Sequence, residues 1–153
     1  MHIPQRQVDF DRHLVETLAK NGPRYTSYPT ADRFHAGFNQ QHYQQALQQR
    51  NVGALNRPLS LYVHVPFCNT ICYYCGCNKI ITKDTSRADD YIEYLGRELD
   101  LIAPHLQGQH QLSQLHFGGG TPTFLSDDQL ARVFEHIKCH FKFTPRGEYS
   151  IEI

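Results

Sequence analysis

LSLYVHVPFCNTICYYCGCNKI, residues 59–80, changes texture in its middle, and that change decides the fold. In LSLYVHV, Leu59, Leu61, Val63 and Val65 alternate with Ser60, Tyr62 and His64. A period of two is the signature of a strand with one buried face. Pro66 ends it, because proline has no N–H to give to a ladder. Four of the chain's five cysteines then crowd between Cys68 and Cys77. A secreted disulfide framework spreads its cysteines to staple distant loops, so this crowding points instead to a metal.

Cys68, Cys72 and Cys75 form a Cys-x-x-x-Cys-x-x-Cys run. Three cysteines so spaced can bend round a cubane and give thiolates to three of its irons, the ligand that iron–sulfur clusters take. Cys77 follows Cys75 too closely to serve with it on adjacent corners, so one iron of a [4Fe–4S] cluster is left open. Two other readings stand beside this one. Structural zinc would need a fourth ligand such as His64 or His116, since no second Cys-x-x-Cys pair is present; the thiols could also be free and buried. The loop follows the carboxyl end of a strand, where ligand sites of α/β folds gather, and this favours the cluster. Cys139, alone in an amphipathic stretch, reads as core or half-buried packing.

Working outward, residues 88–103 place Ala88, Tyr91, Ile92, Leu95, Leu99, Ile102 and Ala103 at helical spacing, with Pro104 at the end. LSQLHF (112–117) is a second short strand. Ser126-Asp127-Asp128-Gln129 is a capping-box pattern opening a helix whose Leu130, Val133, Phe134 and Ile137 share a face. EYSIEI (148–153) alternates again. The order strand–helix–strand–helix–strand, with crossovers of this length, predicts parallel pairing. Upstream, residues 8–20 put Val8, Phe10, Leu14, Val15 and Leu18 near one helical face before the stop Asn21-Gly22-Pro23. RYTSYPTADRF lacks periodicity and reads as an arm or loop. NQQHYQQALQQR (39–50) predicts a surface helix through Tyr43, Ala46, Leu47 and Arg50.

Gly118-Gly119-Gly120-Thr121-Pro122 directly follows the second strand. Glycines let backbone groups approach a ligand closely, and at the same strand end as the cysteine loop the run is a candidate wall of one pocket. Glu152 holds the corresponding place on the third strand, although a glutamate on an alternating strand is ordinarily a solvated face.

The bulk numbers exclude several classes. Fifteen basic and fifteen acidic residues cancel, giving no argument for nucleic acid or an anionic membrane. No apolar run approaches a membrane span, and MHIPQRQVDFDR lacks the apolar region of a secretory signal, so a cytoplasmic protein is expected.

YVHVPFCNTICYYCGCNK (62–79) resembles the radical S-adenosylmethionine superfamily and, within it, the oxygen-independent coproporphyrinogen III oxidases. GPRYTSYPTA (22–31) resembles that family's N-terminal arm. LSLYVHVPFC, the Cys-Gly-Cys-Asn extension, HFGGGTPTFL and SIEI resemble its first three barrel strands and loops. The cysteine spacing identifies only the superfamily; the arm with CGCN is more specific. The resemblance implies an incomplete (β/α) barrel of βαβαβ order with parallel strands (58–153), preceded by a helical and loop N-terminal arm (1–57). Cys68, Cys72 and Cys75 would hold the [4Fe–4S] cluster, whose open iron chelates S-adenosylmethionine. Tyr62, Gly119 and Glu152 match positions contacting that molecule, and Tyr74, Gly120 and Thr121 match positions facing a second one. Tyr74 departs from the family's usual Phe. Arg24 and Cys77 are accessory catalytic candidates.

The implied reaction is oxidative decarboxylation of two propionates of coproporphyrinogen III to the vinyl groups of protoporphyrinogen IX, in haem biosynthesis. The implied partners are the porphyrinogen and an electron donor such as flavodoxin or ferredoxin, with a monomer expected for the full-length family. A haem-binding relative sharing barrel and cluster is the alternative; it usually lacks both the arm and the cysteine two after the cluster motif. A complete (β/α)8 barrel takes about 250 residues against 153 here, so the expectation is the amino-terminal third of an oxidase, inactive by itself.

Overall fold

The computed structural model describes residues 10–19, 30–49, 58–106 and 110–153. The chain forms two compact units, Met1–Phe38 and Asn39–Ile153. In the first, helix α1 spans Arg12–Leu18 and is N-capped by the Asp11 carboxylate, which accepts from the Leu14 N–H. Its apolar residues Leu14, Val15 and Leu18, and Phe10 just before it, are exposed. A short 3-10 turn covers Ala31–Arg33. Val8, the Asn21-Gly22-Pro23 stop and most of the RYTSYPTA segment, Arg24 included, lie outside the described residues.

The second unit opens with α2 (Gln40–Gln49). This helix, expected within an arm ending at residue 57, belongs with the rest of the fold, because Leu47 packs against the core. Strand β1 is Leu59–Val65, as the alternation predicts. Next come two short strands, β2 (Phe67–Cys68) and β3 (Ile80–Ile81), then α3 (Arg87–Ile102), β4 (Gln111–Gly119), α4 (Asp127–His140) and β5 (Lys142–Ile151). The main sheet has the order β1-β4-β5 with both pairings parallel, so the predicted βαβαβ unit is present.

The helices cover one face of that sheet. Val63, Val65, Leu112, Leu115 and Phe117 are buried there against Ala88, Ile92 and Leu99 of α3 and Val133 and Ile137 of α4. Leu112 and Leu115 stand three apart, which strict alternation would send to opposite faces. The register shifts between Leu112 and Gln114, leaving Ser113 as the extra residue of a bulge that returns both leucines to the core. Its hydroxyl donates to the Leu59 carbonyl. Strand β5 begins earlier than EYSIEI suggested. It pairs through Lys142 and Phe143, skips 144–147, where Pro145 could not donate, and resumes at Glu148.

α4 is started by local chemistry, and α3 is held by contacts across the seam between them. The capping box of α4 is complete: the Ser126 hydroxyl accepts from the Gln129 N–H and the Gln129 side chain accepts from the Ser126 N–H. α3 and α4 approach closely where a Cβ on Gly96 would stand 2.7 Å from the His136 ring. Asp89 accepts from Arg132 and Gln129, and Asp100 pairs with His140, across the same seam. Cys139 is exposed rather than packed, because Val133 and Ile137 take the buried stripe of α4 and leave it on the outer side. Among the described residues, no helix is long and apolar enough to cross a membrane.

Candidate functional site

The carboxyl ends of β1, β4 and β5 lie together, and each carries a segment singled out in the sequence. The cysteine loop leaves β1 through Pro66. It is clamped at its neck by β2 and β3, which pair in parallel as Phe67 with Ile80 and Cys68 with Ile81. The Ile80 N–H donates to the Pro66 carbonyl and the Thr82 N–H to the Cys68 carbonyl. Phe67 anchors this clamp in the core, stacked on Phe124 and edge-on to Tyr91. Sequence reading missed the clamp; its only signal is the pair of apolar dipeptides flanking the loop, too short for any period to show.

The glycine run closes on the same neck. The Gly120 N–H donates to the Val65 carbonyl and the Thr121 N–H to the Phe67 carbonyl. A Cβ on Gly120 would fall 2.7 Å from the Phe67 carbonyl oxygen and 2.9 Å from the Cys68 sulfur, so only glycine fits. Gly119 has φ +107°, and a Cβ there would meet the His64 ring at 2.7 Å. The Thr121 hydroxyl lies 3.6 Å from the Cys68 sulfur as a donor.

One cavity of about 460 Å³ results, lined by Cys68, Cys72, Cys75 and Cys77 together with Tyr74, Gly119, Gly120 and Thr121. Cys68 is buried at its floor, Cys75 is half-buried, and Cys72 and Cys77 are exposed. The Cys77 N–H, bonded to the Cys75 sulfur, and the nearby Lys79 ammonium hold the Cys75 thiol below the ordinary thiol range against partial desolvation. Partial desolvation and then the neighbouring Cys75 push the otherwise exposed Cys77 up, with Glu152 and Cys68 adding. Among the described residues, no three His, Cys, Asp or Glu side chains converge on a point that could hold a single metal ion. The two histidines weighed as a fourth zinc ligand are engaged elsewhere: His64 Nε2 with the Asn78 carbonyl at 2.8 Å, and His116 with Ser150 and Glu152. Soft thiol donors spread round a roomy cavity fit a polynuclear cluster better than one ion.

Tyr62 and Glu152 stand beside this cavity, on the sheet face that the helices leave uncovered. Desolvation, and then the charge of Glu152, raise the Tyr62 phenol above its usual range, with Cys77 contributing. The Glu152 carboxylate accepts from the Gly119 N–H at 3.3 Å. Tyr91, whose phenol burial pushes up to about 12, stays a donor to the His64 carbonyl and steadies the end of β1.

No protein-family model matches the chain. It is 45% identical over 148 residues to the oxygen-independent coproporphyrinogen III oxidase of Escherichia coli (strain K12), covering 97% of this chain and 31% of that one. It is 46% identical over 148 residues to the enzyme so named in Pseudomonas aeruginosa, covering 95% and 32%. Against the protein of that name from Mannheimia haemolytica it is 40% identical over 147 residues, covering 96% of this chain and 97% of that one. The chain belongs to the oxygen-independent coproporphyrinogen III oxidase family. It spans about a third of the length of the first two relatives.

A solved structure of the Escherichia coli coproporphyrinogen III oxidase, described as a radical SAM enzyme, superposes with TM-score 0.80 at 42% identity, over 97% of this chain and 31% of that one. The family resemblance read from the motifs is thereby borne out, and with it the parallel α/β architecture; radical SAM membership implies a [4Fe–4S] cluster and S-adenosylmethionine.

Proposed function

We propose that this chain carries the cluster- and S-adenosylmethionine-binding part of an oxygen-independent coproporphyrinogen III oxidase, acting on the propionates of coproporphyrinogen III. One observation carries the reading. Three cysteines at radical-SAM spacing and the Gly-Gly-Thr segment of the neighbouring strand line a single cavity at the carboxyl ends of parallel strands. When bound, the cluster supplies the electron that splits S-adenosylmethionine into methionine and a 5′-deoxyadenosyl radical.

The residues divide the remaining work. Cys68, Cys72 and Cys75 hold three irons as thiolates, and the neck clamp keeps Cys68 at the cavity floor. Gly119 and Gly120 keep the wall thin, so that a ligand can meet backbone rather than side chains. Glu152, with Tyr62 beside it, offers a carboxylate to the donor groups of the first S-adenosylmethionine. Tyr74, Gly120 and Thr121 line the cavity together and form the side facing a second one. Cys77 lines the same cavity as an accessory group rather than a ligand, which favours the oxidase over the haem-binding relative. Arg24 is an accessory group of the arm, and flavodoxin or ferredoxin is the proposed electron source.

Anaerobic reconstitution tests the assignment. Iron and sulfide analysis should give one [4Fe–4S] cluster per chain, and S-adenosylmethionine should shift the EPR signal of the reduced cluster. Serine at Cys68, Cys72 or Cys75 should abolish the cluster, and Cys77→Ser should keep its iron. Stoichiometric zinc without sulfide in folded protein would overturn the reading.

A further inference from the structure

The uncovered face of the sheet carries a row of polar side chains that the thiol site does not use. Tyr62, His116 and Ser150 are register partners across the three strands, and Glu152 stands two residues past Ser150, just beyond the end of β5, its N–H donating to the Phe117 carbonyl. The His116 ring is stacked on the Tyr62 ring, with centroids 5.5 Å apart and 27° between planes. Its Nδ1 lies 2.7 Å from the Ser150 Oγ and its Nε2 lies 3.3 Å from Glu152 Oε1.

Hydrogen-bond chemistry gives this row a direction. An ionised carboxylate can only accept, so the proton facing Glu152 sits on His116 Nε2. In the neutral ring Nδ1 is then an acceptor, and the Ser150 hydroxyl must donate to it. The relay runs from Ser150 Oγ–H to His116 Nδ1, and from His116 Nε2–H to Glu152 Oε1. The second carboxylate oxygen accepts from the Gly119 N–H. Both oxygens of Glu152 are thus held from below and beside. The carboxylate leans with the Tyr62 hydroxyl over bare backbone: a Cβ on Gly118 would lie 2.7 Å from Tyr62 Oη and 3.0 Å from Glu152 Oε2.

We infer that His116, with Ser150 behind it, is the positioning residue of Glu152, fixing the carboxylate where it receives the donor groups of S-adenosylmethionine. The inference rests on the proposed function, in which Glu152 meets that ligand. His116 is not among the side chains that line the thiol cavity. It acts through Glu152, much as the partners behind a metal-bound histidine set its orientation. Holding the carboxylate beforehand lowers the ordering cost of binding.

Binding measurements on the reconstituted chain separate this role from a structural one. His116→Phe keeps the ring on Tyr62 and removes both nitrogens. It should leave iron and sulfide content unchanged and weaken S-adenosylmethionine binding about three- to tenfold, the range for one ordinary hydrogen bond, because the loss reaches the ligand only through Glu152. His116→Gln, which restores one donor toward Glu152, should recover most of that loss. In the double variant with Glu152→Gln, His116→Phe should add no further weakening, because its effect runs through the carboxylate. Additive losses, or unchanged affinity in His116→Phe, would overturn the inference alone. A parent chain with its full cluster and no affinity for S-adenosylmethionine would overturn the proposed function and this inference with it. The relay has a ligand-free readout as well. Nitrogen-15 NMR of the cluster-free chain should show the Nε2–H tautomer of His116, and the Nδ1–H tautomer would refute the relay whatever the ligand does.

Discussion

The βαβαβ scaffold and the cysteine loop are covalent neighbours held together by different physics. The scaffold is sewn by parallel ladders and by an apolar layer in which Val65, Ile92, Leu112, Val133 and Ile137 have no exposed surface. The loop from Asn69 to Asn78 contains no helix or strand, and its Ile71, Tyr73 and Tyr74 are exposed. Its order comes from the β2–β3 neck, from Gly120 and Thr121 against that neck, and from the His64 bond to Asn78. The scaffold therefore fixes where the loop starts and ends, while the loop's middle is free to be organised by what its sulfurs bind. Chemistry sits on the segment with least packing of its own, and the rigid part aims it.

Breaking the scaffold should break both regions. Phe117 is 2% exposed at the centre of the core, on the strand that pairs with both of its neighbours. Phe117→Ala should destabilise by about 3–5 kcal/mol and abolish iron uptake as well, measured by urea denaturation and iron analysis on the same preparation. Retained iron after such a loss would mean that the loop holds its shape without the sheet.

The junction should respond next. A methyl group on Gly120 meets the Phe67 backbone as well as the Cys68 sulfur, and backbone yields less readily than a side-chain tip. Gly120→Ala should cost about 1–3 kcal/mol and reduce cluster occupancy, measured by urea denaturation and iron analysis on the same preparation. Circular dichroism should show the helices intact, because α3 and α4 are held by the core around Ile92, Val133 and Ile137.

Legibility followed the same division. β1 was read to the residue, since Leu59 to Val65 alternate cleanly and one face is buried. The capping box at Ser126 gave the start of α4 because it depends only on neighbours. The early start of β5 escaped, because the skip over 144–147 is imposed by pairing with β4 and by the Ser113 bulge, neither of which is a local property. Cys139 was misjudged on its residue type, when the helix had enough better apolar side chains for its buried stripe. At the site, the spacing of the cysteines and the family motifs named the candidates. The His116 relay was invisible, because Ser150 and His116 become neighbours only through the parallel register. Glu152, a solvated face by strand alternation alone, was named a candidate only through the family motif.

On the scaffold's surface a smaller effect is expected. Asp89 accepts from Arg132 Nη1 at 2.5 Å and from Gln129 at 3.3 Å, and these bonds, Arg132 first, hold its carboxyl below the usual range. A depressed folded-state value means that the contribution is full above the unfolded value of about 3.9 and is lost as pH falls through the folded value. Both partners are about half exposed, so the effect is modest and screened by salt. Asp89→Asn should lower the melting temperature slightly at neutral pH, and the gap to the parent should close as the pH is taken below about 4. Melts at stepped pH check this; a gap that persists in acid would assign the effect to packing.

The smallest effect on the fold is expected where the chemistry is densest. Cys72 is exposed, lies outside every strand and helix, and contributes nothing to the apolar core. In the cluster-free chain Cys72→Ser should change stability by no more than about 0.5 kcal/mol, the usual range for a surface substitution. The same change should remove iron binding, because a hydroxyl is a poor substitute for thiolate at iron. Cluster-loaded parent should then melt higher than cluster-free parent, since a group that binds only the folded chain stabilises it, and the variant should show no such rise. Comparing the two chains with and without iron and sulfide separates loss of a ligand from loss of the fold. A Cys72→Ser chain that melted well below the parent before any metal was added would show that the loop carries part of the fold's stability, and the division between a self-supporting scaffold and a ligand-organised loop would fail at that residue.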